Sequence, residues 1–146
     1  MDKNFFNQTR ILDGGMGQQL LAKGLVSKGT LWSTSAILDK KFHQLVIDVH
    51  LSFINSGADV ILTNTFASRK IRLFQNKVEE HFKYVNEKAC LLSIKAKELS
   101  KKDILIAGSL PCQFDTYVED KRDSKIIEKD FYQQAEIIGP HVDFLY

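Results

Sequence analysis

The sequence predicts an α/β protein in which parallel strands alternate with helices. Three observations support this class: apolar runs of three to five residues, stretches with helical periodicity between them, and small or polar residues directly after each run. The apolar runs begin near residues 10, 59, 103 and 142. These separations leave room for a crossover helix between successive strands, as a parallel sheet requires.

The first strand is predicted at residues 9–12, and the turn-forming string Asp-Gly-Gly-Met-Gly at 13–17 ends it. Residues 41–56 carry apolar side chains at steps of three and four, so we predict an amphipathic helix that Gly57 stops. Residues 60–62 follow as a continuous apolar run, which is typical of a strand covered on both faces.

The same unit then recurs twice. Residues 78–99 have helical periodicity, and residues 104–107 form the next buried strand. Ser124 is predicted to cap a third helix, with an apolar face that includes Ile126 and Ile138 and a stop at Gly139 and Pro140. A fourth strand begins at residue 142.

Two architectures fit this order of elements: a doubly wound, flavodoxin-like sheet and half of a (βα)₈ barrel. The chain ends within the apolar residues 142–146, without a covering helix. Such an ending is unusual for a doubly wound domain and natural for a barrel interrupted after its fourth strand. We therefore expect residues 1–146 to be the amino-terminal half of a TIM barrel domain, with about four strands and three helices.

Composition excludes several classes of protein. The 146 residues carry a formal charge of +2 and are 44% hydrophobic, which fits one globular domain and not a nucleic-acid-binding surface. No apolar run reaches the roughly 20 residues of a membrane helix. Charges at Asp2, Lys3, Arg10 and Asp13 interrupt the segment where a signal peptide would lie. With only two cysteines, we expect a cytoplasmic protein without membrane or nucleic-acid partners.

The strand ends carry the candidate binding residues. Asp13 and Gly14 follow the first strand, and Thr63, Asn64, Thr65 and Phe66 follow the second. A carboxylate could hold an ammonium group while glycine amides hold a carboxylate, so the set suits an amino acid. The alternative is that Asp13 only caps a turn. Trp32, in the loop before the first long helix, either walls a pocket or anchors the loop.

Other motifs give little support for different chemistry. The string Gly15-Met-Gly17 lacks the third glycine and the acidic partner of a dinucleotide site, and no nucleophile elbow or zinc-protease helix is present. His50 lies in the first long helix and is expected to be packed and hydrogen-bonded, and the three other histidines lack partners at metal-ligand spacing. Cys90 is expected to be buried, whereas Cys112 has no neighbouring base in the sequence to activate it.

Several separated motifs, in order, resemble the homocysteine S-methyltransferase family. They are ILDGGMGQQL at 11–20, LWSTS at 31–35, VH at 49–50, SGADVILTNTF at 56–66 and AGSLP at 107–111. The resemblance runs from about residue 11 to the last residue. It implies a (βα)₈ barrel that moves a methyl group to the thiol of homocysteine, giving methionine. The donors of this family are compounds such as S-methylmethionine, S-adenosylmethionine, betaine or methyltetrahydrofolate.

The resemblance also assigns roles to residues. Asp13 and Gly14 would meet the amino-acid end of homocysteine, Thr63 and residues 64–66 would line the pocket, and Trp32 would wall the donor side. The family's zinc ion, which stabilises the thiolate, is held by an Asn-Cys cysteine and a Cys-Cys pair in the second half of the barrel. Cys90 and Cys112 do not correspond to them.

We therefore expect no metal ligand and no catalytic residue within this chain, and no methyl transfer by the chain alone. Two other functions stay open: a non-catalytic barrel-derived binding module, and a related enzyme that methylates another thiol or a selenol. An unpaired final strand would also favour self-association.

Overall fold

The computed structural model describes residues 4–146, so Asp2 and Lys3 lie outside the described residues. It has six α-helices and three strands in the order ααα-β-αα-β-α-β. They are α1 (Met16–Ala22), α2 (Ser35–Leu38), α3 (His43–Asn55), β1 (Val60–Leu62), α4 (Lys70–Gln75), α5 (Phe82–Ser100), β2 (Leu105–Gly108), α6 (Ser124–Ile138) and β3 (Phe144–Leu145). Short 3₁₀ helices occupy Phe5–Asn7, Trp32–Thr34, Lys40–Phe42, Glu79–His81 and Gly139–His141.

The three strands form one parallel sheet in the order β1-β2-β3. Ile61 lies opposite Ile106, and Ala107 lies opposite Phe144. Spatial order therefore follows chain order, as it does for consecutive strands of a barrel, whereas a doubly wound sheet reverses direction after its first strand. The predicted α/β class and parallel pairing are confirmed for the described residues.

Residues 9–12 do not form the regular strand that the sequence predicts. One parallel bridge joins Leu12 to Val60, and the amide of Asp13 donates to the carbonyl of Val60 at 2.9 Å. The next amide along β1, that of Leu62, donates instead to the carboxylate of Asp13 at 2.9 Å. The segment thus lies beside β1 as an edge strand would, but the side chain of Asp13 ends the backbone ladder after a single bridge.

The two long central helices lie where the periodicity predicts them, but each begins a few residues later than predicted. Helix α3 begins at His43 and α5 at Phe82, each preceded by a 3₁₀ turn that the apolar pattern does not distinguish from α-helix. Gly57, with a φ of +104°, lies just past the end of α3, as predicted from its freedom to adopt the left-handed region.

Helix α6 has the predicted extent but a different cap. The carboxylate of Asp123, not the hydroxyl of Ser124, accepts a hydrogen bond from the amide of Lys125 at 2.8 Å. Its apolar face is also narrower than predicted, because Ile126 is half exposed while Ile138 is fully buried.

Three short helices, α1, α2 and α4, do not follow from the sequence pattern, so the expected number of three helices was too low. Each has seven residues or fewer, which is too short to display a clear helical period. Tertiary contacts hold them in place: Leu20 of α1, Ile37 of α2 and Leu73 of α4 are completely buried.

The main apolar core lies between the sheet and helices α1, α3 and α5. Its fully buried members include Leu20, Val46, Ile54, Ile61 and Val85. Such burial supplies the main driving force for folding. Among residues 4–146, no helix combines the length and the apolar content needed to cross a membrane.

Gly108, at the end of β2, gives the first prediction. A Cβ atom there would lie 2.5 Å from Ile138 Cγ2 and 2.9 Å from Leu145 Cδ2, so Gly108→Ala should lower the free energy of unfolding by about 1–3 kcal/mol. Gly139→Ala is the matched control, since a Cβ there meets nothing within 4 Å, and its effect should stay within about 0.5 kcal/mol. Urea denaturation of both variants tests this, and equal stabilities would contradict the packing described for α6 on β2.

Candidate functional site

A cavity of about 520 Å³ lies at the carboxyl ends of the parallel strands. The segment beside β1, the ends of β1 and β2, and the loop that carries Trp32 form its walls. Its lining residues are Leu12, Asp13, Gly14, Gly15, Met16, Gly17, Trp32, Ser33, Leu62, Thr63, Asn64, Phe66, Ser109, Thr116, Tyr117 and Tyr146. Residues far apart in the sequence therefore meet at the edge of the sheet where parallel α/β proteins bind their ligands.

Asp13 contributes the carboxylate of this cavity. One oxygen, Oδ2, accepts from the Leu62 amide at 2.9 Å, and this bond lowers the pKa of the carboxyl group. Burial has the larger, opposite effect, and it raises the pKa of Asp13 to about 6. The side chain thus bonds across to β1, 49 residues along the chain, and presents a poorly solvated carboxylate to the cavity. A cationic ligand group would relieve that desolvation.

Gly14 and Gly15 extend the same wall with backbone alone. A Cβ on Gly14 would lie 2.8 Å from Cε1 of Phe53 in α3, so the ring behind the loop leaves no space for a side chain. The peptide groups of this segment therefore form the cavity surface beside Asp13. A carboxylate followed by bare peptide groups can bind both charged groups of an amino acid, the ammonium and the carboxylate.

Trp32 forms the part of the wall that adjoins the end of the glycine loop. Its indole lies against α1, where a Cβ on Gly17 would be 2.7 Å from Cε2 and 2.8 Å from Nε1. The backbone of Trp32 has a φ of +46°, which is unusual for a bulky residue, and 38% of the residue is exposed. A strained backbone and a partly exposed aromatic ring in a cavity are features of ligand sites.

Thr63 and Asn64 line the cavity from the end of β1. The Thr63 hydroxyl accepts from the amide of Ser109 at 3.0 Å, and the Asn64 side chain donates to the carbonyl of Ser33 at 3.1 Å. Thr65 differs from the expectation, because it does not line the cavity. It is completely buried, and its hydroxyl donates to the Ser109 carbonyl at 2.6 Å, so it supports the cavity wall from behind.

Phe66 lines the cavity with a partly exposed ring and also contacts a buried arginine. The Arg69 guanidinium carbon lies 5.3 Å from the centre of the Phe66 ring. Reasoning from the sequence did not find Arg69, nor the lining residues Thr116 and Tyr117. The positive charge of Arg69 just after a strand end was the available signal. Thr116 and Tyr117 lie in a loop whose pattern gives none.

The histidines and cysteines take structural positions. His50 is buried as predicted, but neither ring nitrogen has a hydrogen-bond partner within residues 4–146, and burial lowers its pKa to about 3. His43 contacts the Ile37 carbonyl through Nε2 at 2.9 Å. Cys90 is buried in α5 as predicted, and burial raises the pKa of its thiol to about 12. Cys112 is exposed, with its sulfur 4.0 Å from Nη1 of Arg69.

The chemistry of these side chains does not fit a zinc site. Zinc ions in proteins are held by three or four cysteine, histidine or carboxylate ligands. Across residues 4–146, no three such side chains are grouped so that they could hold a metal ion. Cys90 and Cys112 are on different elements, one inside a helix and one in a loop. No step involving a metal is therefore assigned to these residues.

Parallel strands in chain order, with a cavity at their carboxyl ends, define an α/β protein of consecutive βα units. Residues 10–146 match the sequence model of a known family, described as homocysteine S-methyltransferase. The chain belongs to the homocysteine S-methyltransferase family. The resemblance found in the separated motifs is thereby confirmed.

Individual relatives agree. The chain is 31% identical over 134 residues to the S-methylmethionine–homocysteine S-methyltransferase BHMT2 of Rattus norvegicus, covering 91% of this chain and 34% of that protein. It is 27% identical over 135 residues to a selenocysteine Se-methyltransferase of Brassica oleracea var. italica, covering 92% of this chain and 35% of that one. The chain thus spans about a third of the length of these relatives.

Solved structures show the same fold. The oxidized form of the homocysteine methyltransferase MmuM from Escherichia coli superposes with a TM-score of 0.81 at 22% identity, covering 98% of this chain and 54% of that one. The metallated form of the same protein gives a TM-score of 0.76, with 98% and 55% coverage. Nearly all of the present chain therefore matches about half of a larger fold.

The contact between Gly17 and Trp32 gives the second prediction. Gly17→Ala should displace the indole, because the added Cβ would overlap it, and should shift the fluorescence of the chain's single tryptophan towards that of an exposed indole. Gly15→Ala, two residues earlier at the start of α1, is the matched control, since its Cβ would lie 3.7 Å from its nearest neighbour, Gln18 Cγ. Identical emission spectra for the two variants would contradict the position of Trp32 against α1.

Proposed function

We propose that the protein transfers a methyl group from a small donor to the thiol of homocysteine, giving methionine, and that this chain binds the amino-acid end of homocysteine. The observation that carries the proposal is Asp13, a poorly solvated carboxylate in the wall of a cavity at the strand ends, with bare peptide groups beside it. Membership of the homocysteine S-methyltransferase family supports it.

The binding mode follows from charge. The ammonium of homocysteine would pair with Asp13, restoring the interaction that burial removes from the carboxylate. Its carboxylate would lie against the peptide groups of Gly14 and Gly15. Thr63 offers a hydroxyl from the end of β1. With both charged groups held, the side chain of homocysteine has one direction left, into the cavity, where the thiol meets the donor.

The donor would lie on the aromatic side of the cavity. Donors such as S-methylmethionine, S-adenosylmethionine and betaine carry a positive sulfonium or ammonium centre, and aromatic faces attract such cations. Trp32 and Phe66 both line the cavity and are both partly exposed. Holding the onium centre there and the thiol opposite would align the sulfur, the methyl carbon and the leaving group for an in-line transfer.

We infer a complete (βα)₈ barrel whose zinc ligands, which would stabilise the thiolate, lie outside residues 4–146, since the described side chains form no such group. The match of this chain to about half of the MmuM structures supports this division. Both cysteines are free, in keeping with the proposed cytoplasmic location.

A selenol acceptor is the second candidate, because the selenocysteine Se-methyltransferase of Brassica oleracea var. italica is among the relatives. A selenol and a thiol differ little in size, so the cavity itself does not separate them. Competition between homocysteine and selenocysteine for one labelled methyl donor, using the protein with every residue that its gene encodes, decides between the two. Absence of transfer to either acceptor would favour a non-catalytic binding module.

Asp13→Asn gives the third prediction. The amide oxygen of asparagine can still accept from the Leu62 amide, but the charge that binds the ammonium is lost. We expect homocysteine to bind about 10- to 100-fold more weakly at pH 7.5. For the wild-type chain, affinity should fall as pH drops below about 6, where Asp13 takes up a proton, and Asp13→Asn should lack this dependence. Calorimetric titration from pH 5 to 8 measures both effects.

Stability provides the control for this variant. Because burial raises the folded-state pKa of Asp13 to about 6, the folded state binds more protons than the unfolded state between about pH 4 and pH 6. Wild-type stability should therefore decrease as pH rises through that window, and Asp13→Asn should remove this decrease without lowering stability at pH 7.5. Homocysteine binding that is the same in both proteins at every pH would contradict the proposed role of Asp13.

A further inference from the structure

Arg69 is a buried cation without a paired carboxylate. It follows the β1 loop, is 1% exposed, and has the largest side chain among the fully buried residues. Its Nη2 lies 3.2 Å from Thr116 Oγ1, its Nη1 lies 4.0 Å from the Cys112 sulfur, and its Nε has no partner within residues 4–146. A hydroxyl and a distant thiol are weak partners for a guanidinium, which stays charged when it is buried.

The neighbouring charges do not supply the missing partner. Arg72, one turn further on, takes the nearby carboxylate, with its Nη2 2.8 Å from Asp115 Oδ1. Arg122 is paired separately with Asp120 and Asp130. The cluster around Arg69 therefore has two guanidinium groups and one paired carboxylate. Buried charges are normally matched, so this cluster is one anion short.

A second cavity, of about 270 Å³, lies at this cluster. Thr30, Ala67, Arg69 and Arg72 line it, together with four residues that also line the larger cavity. The four shared residues are Trp32, Phe66, Thr116 and Tyr117. The two cavities are thus neighbours with a common aromatic wall, and one elongated ligand can occupy both. Tyr117, fully exposed with a φ of +74°, is part of the loop at their rim.

We propose that Arg69 and Thr116 bind the carboxylate of a zwitterionic methyl donor, with its onium centre held at Trp32 and Phe66 in the larger cavity. The carboxylate would replace the weak contact to the Cys112 sulfur and give the guanidinium the two-pronged partner that its geometry favours. Because Arg69 is 1% exposed and contacts Cys112 and Thr116, binding requires the loop that carries these two residues to shift outwards. This assignment rests on the proposed methyl transfer for the identity of the ligand.

The site would select donors by their charge. A donor with a positive centre and a carboxylate a few bonds away satisfies both the aromatic wall and Arg69. A donor with the same positive centre and no carboxylate would leave the buried guanidinium as it is and gain only the aromatic contact. Arg69 therefore determines specificity on the donor side, whereas Asp13 acts on the acceptor side.

The fourth prediction tests this on the unmodified 146-residue chain by titration. Trp32 is the only tryptophan and lines both cavities, so its fluorescence reports binding without any need for catalysis. The probes are S-methylmethionine and its carboxamide, which share a sulfonium and differ only in the carboxylate. We expect S-methylmethionine to bind about 10- to 100-fold more tightly than the amide. Equal affinities, or no binding of S-methylmethionine, would overturn the proposal.

Substitutions of Arg69 test whether the preference for the carboxylate depends on this side chain. Arg69→Gln should abolish the preference for the carboxylate, and Arg69→Lys, which retains the charge but lacks the forked geometry, should keep part of it. Lys83→Gln removes a charge from an exposed position of α5 and should leave the preference unchanged. If Arg69→Gln does not fold, as circular dichroism would show, folded Arg69→Lys decides instead, and an undiminished preference for the carboxylate in that variant would overturn the assignment. A full preference in folded Arg69→Gln would overturn the assignment.

Failure of the proposed function gives a different pattern. Methyl transfer is assayed with homocysteine and S-methylmethionine in the protein with every residue that its gene encodes. Absence of transfer, together with a carboxylate preference that depends on Arg69, would refute the methyltransferase activity and support the anion site. Transfer with equal use of both probes would support the activity and refute the anion site.

Discussion

One buried network of hydrogen bonds holds the strand ends together. The Thr65 hydroxyl donates to the Ser109 carbonyl at 2.6 Å, the Ser109 amide donates to the Thr63 hydroxyl at 3.0 Å, and the two threonine hydroxyls are 2.8 Å apart. These groups are almost completely shielded from water, so each requires a protein partner. These hydrogen bonds therefore fix the distance between the loops after β1 and β2, and this distance sets the width of the cavity that the loops line.

The same network extends into the helices. Gln134 of α6 donates to the Thr65 carbonyl at 3.2 Å and to the Asn86 side chain at 3.0 Å, and Gln113 donates to Gln134 at 2.7 Å. Removing one partner would leave another buried group unsatisfied, at a cost of about 1–3 kcal/mol. Polar side chains inside the otherwise apolar faces of α5 and α6 thus connect helix packing to the position of the ligand loops.

The two ends of the site carry opposite unbalanced charges. Asp13 is a carboxylate whose pKa burial raises, and burial lowers the pKa of the Arg69 guanidinium, which has no paired carboxylate. Burial of each charged group is unfavourable without a ligand and becomes favourable once a ligand group of opposite charge lies beside it. Trp32, held with a positive φ against Gly17, lies between them on the aromatic wall. Buried unpaired charges and strained backbone of this kind are typical of binding sites, where the surrounding fold supplies the free energy that maintains them.

The sequence by itself determined the class of fold, the parallel order and the glycine loop with Asp13, because these depend on local periodicity, turn residues and short motifs. It did not determine that Asp13 would end the pairing of residues 9–12, that Thr65 would lie behind the cavity wall, or that helix α6 would be capped by Asp123. Nor did it bring Arg69 to Thr116, 47 residues away. Those outcomes depend on which polar groups lose water on folding and which distant partner each then finds, and only the packed chain decides that.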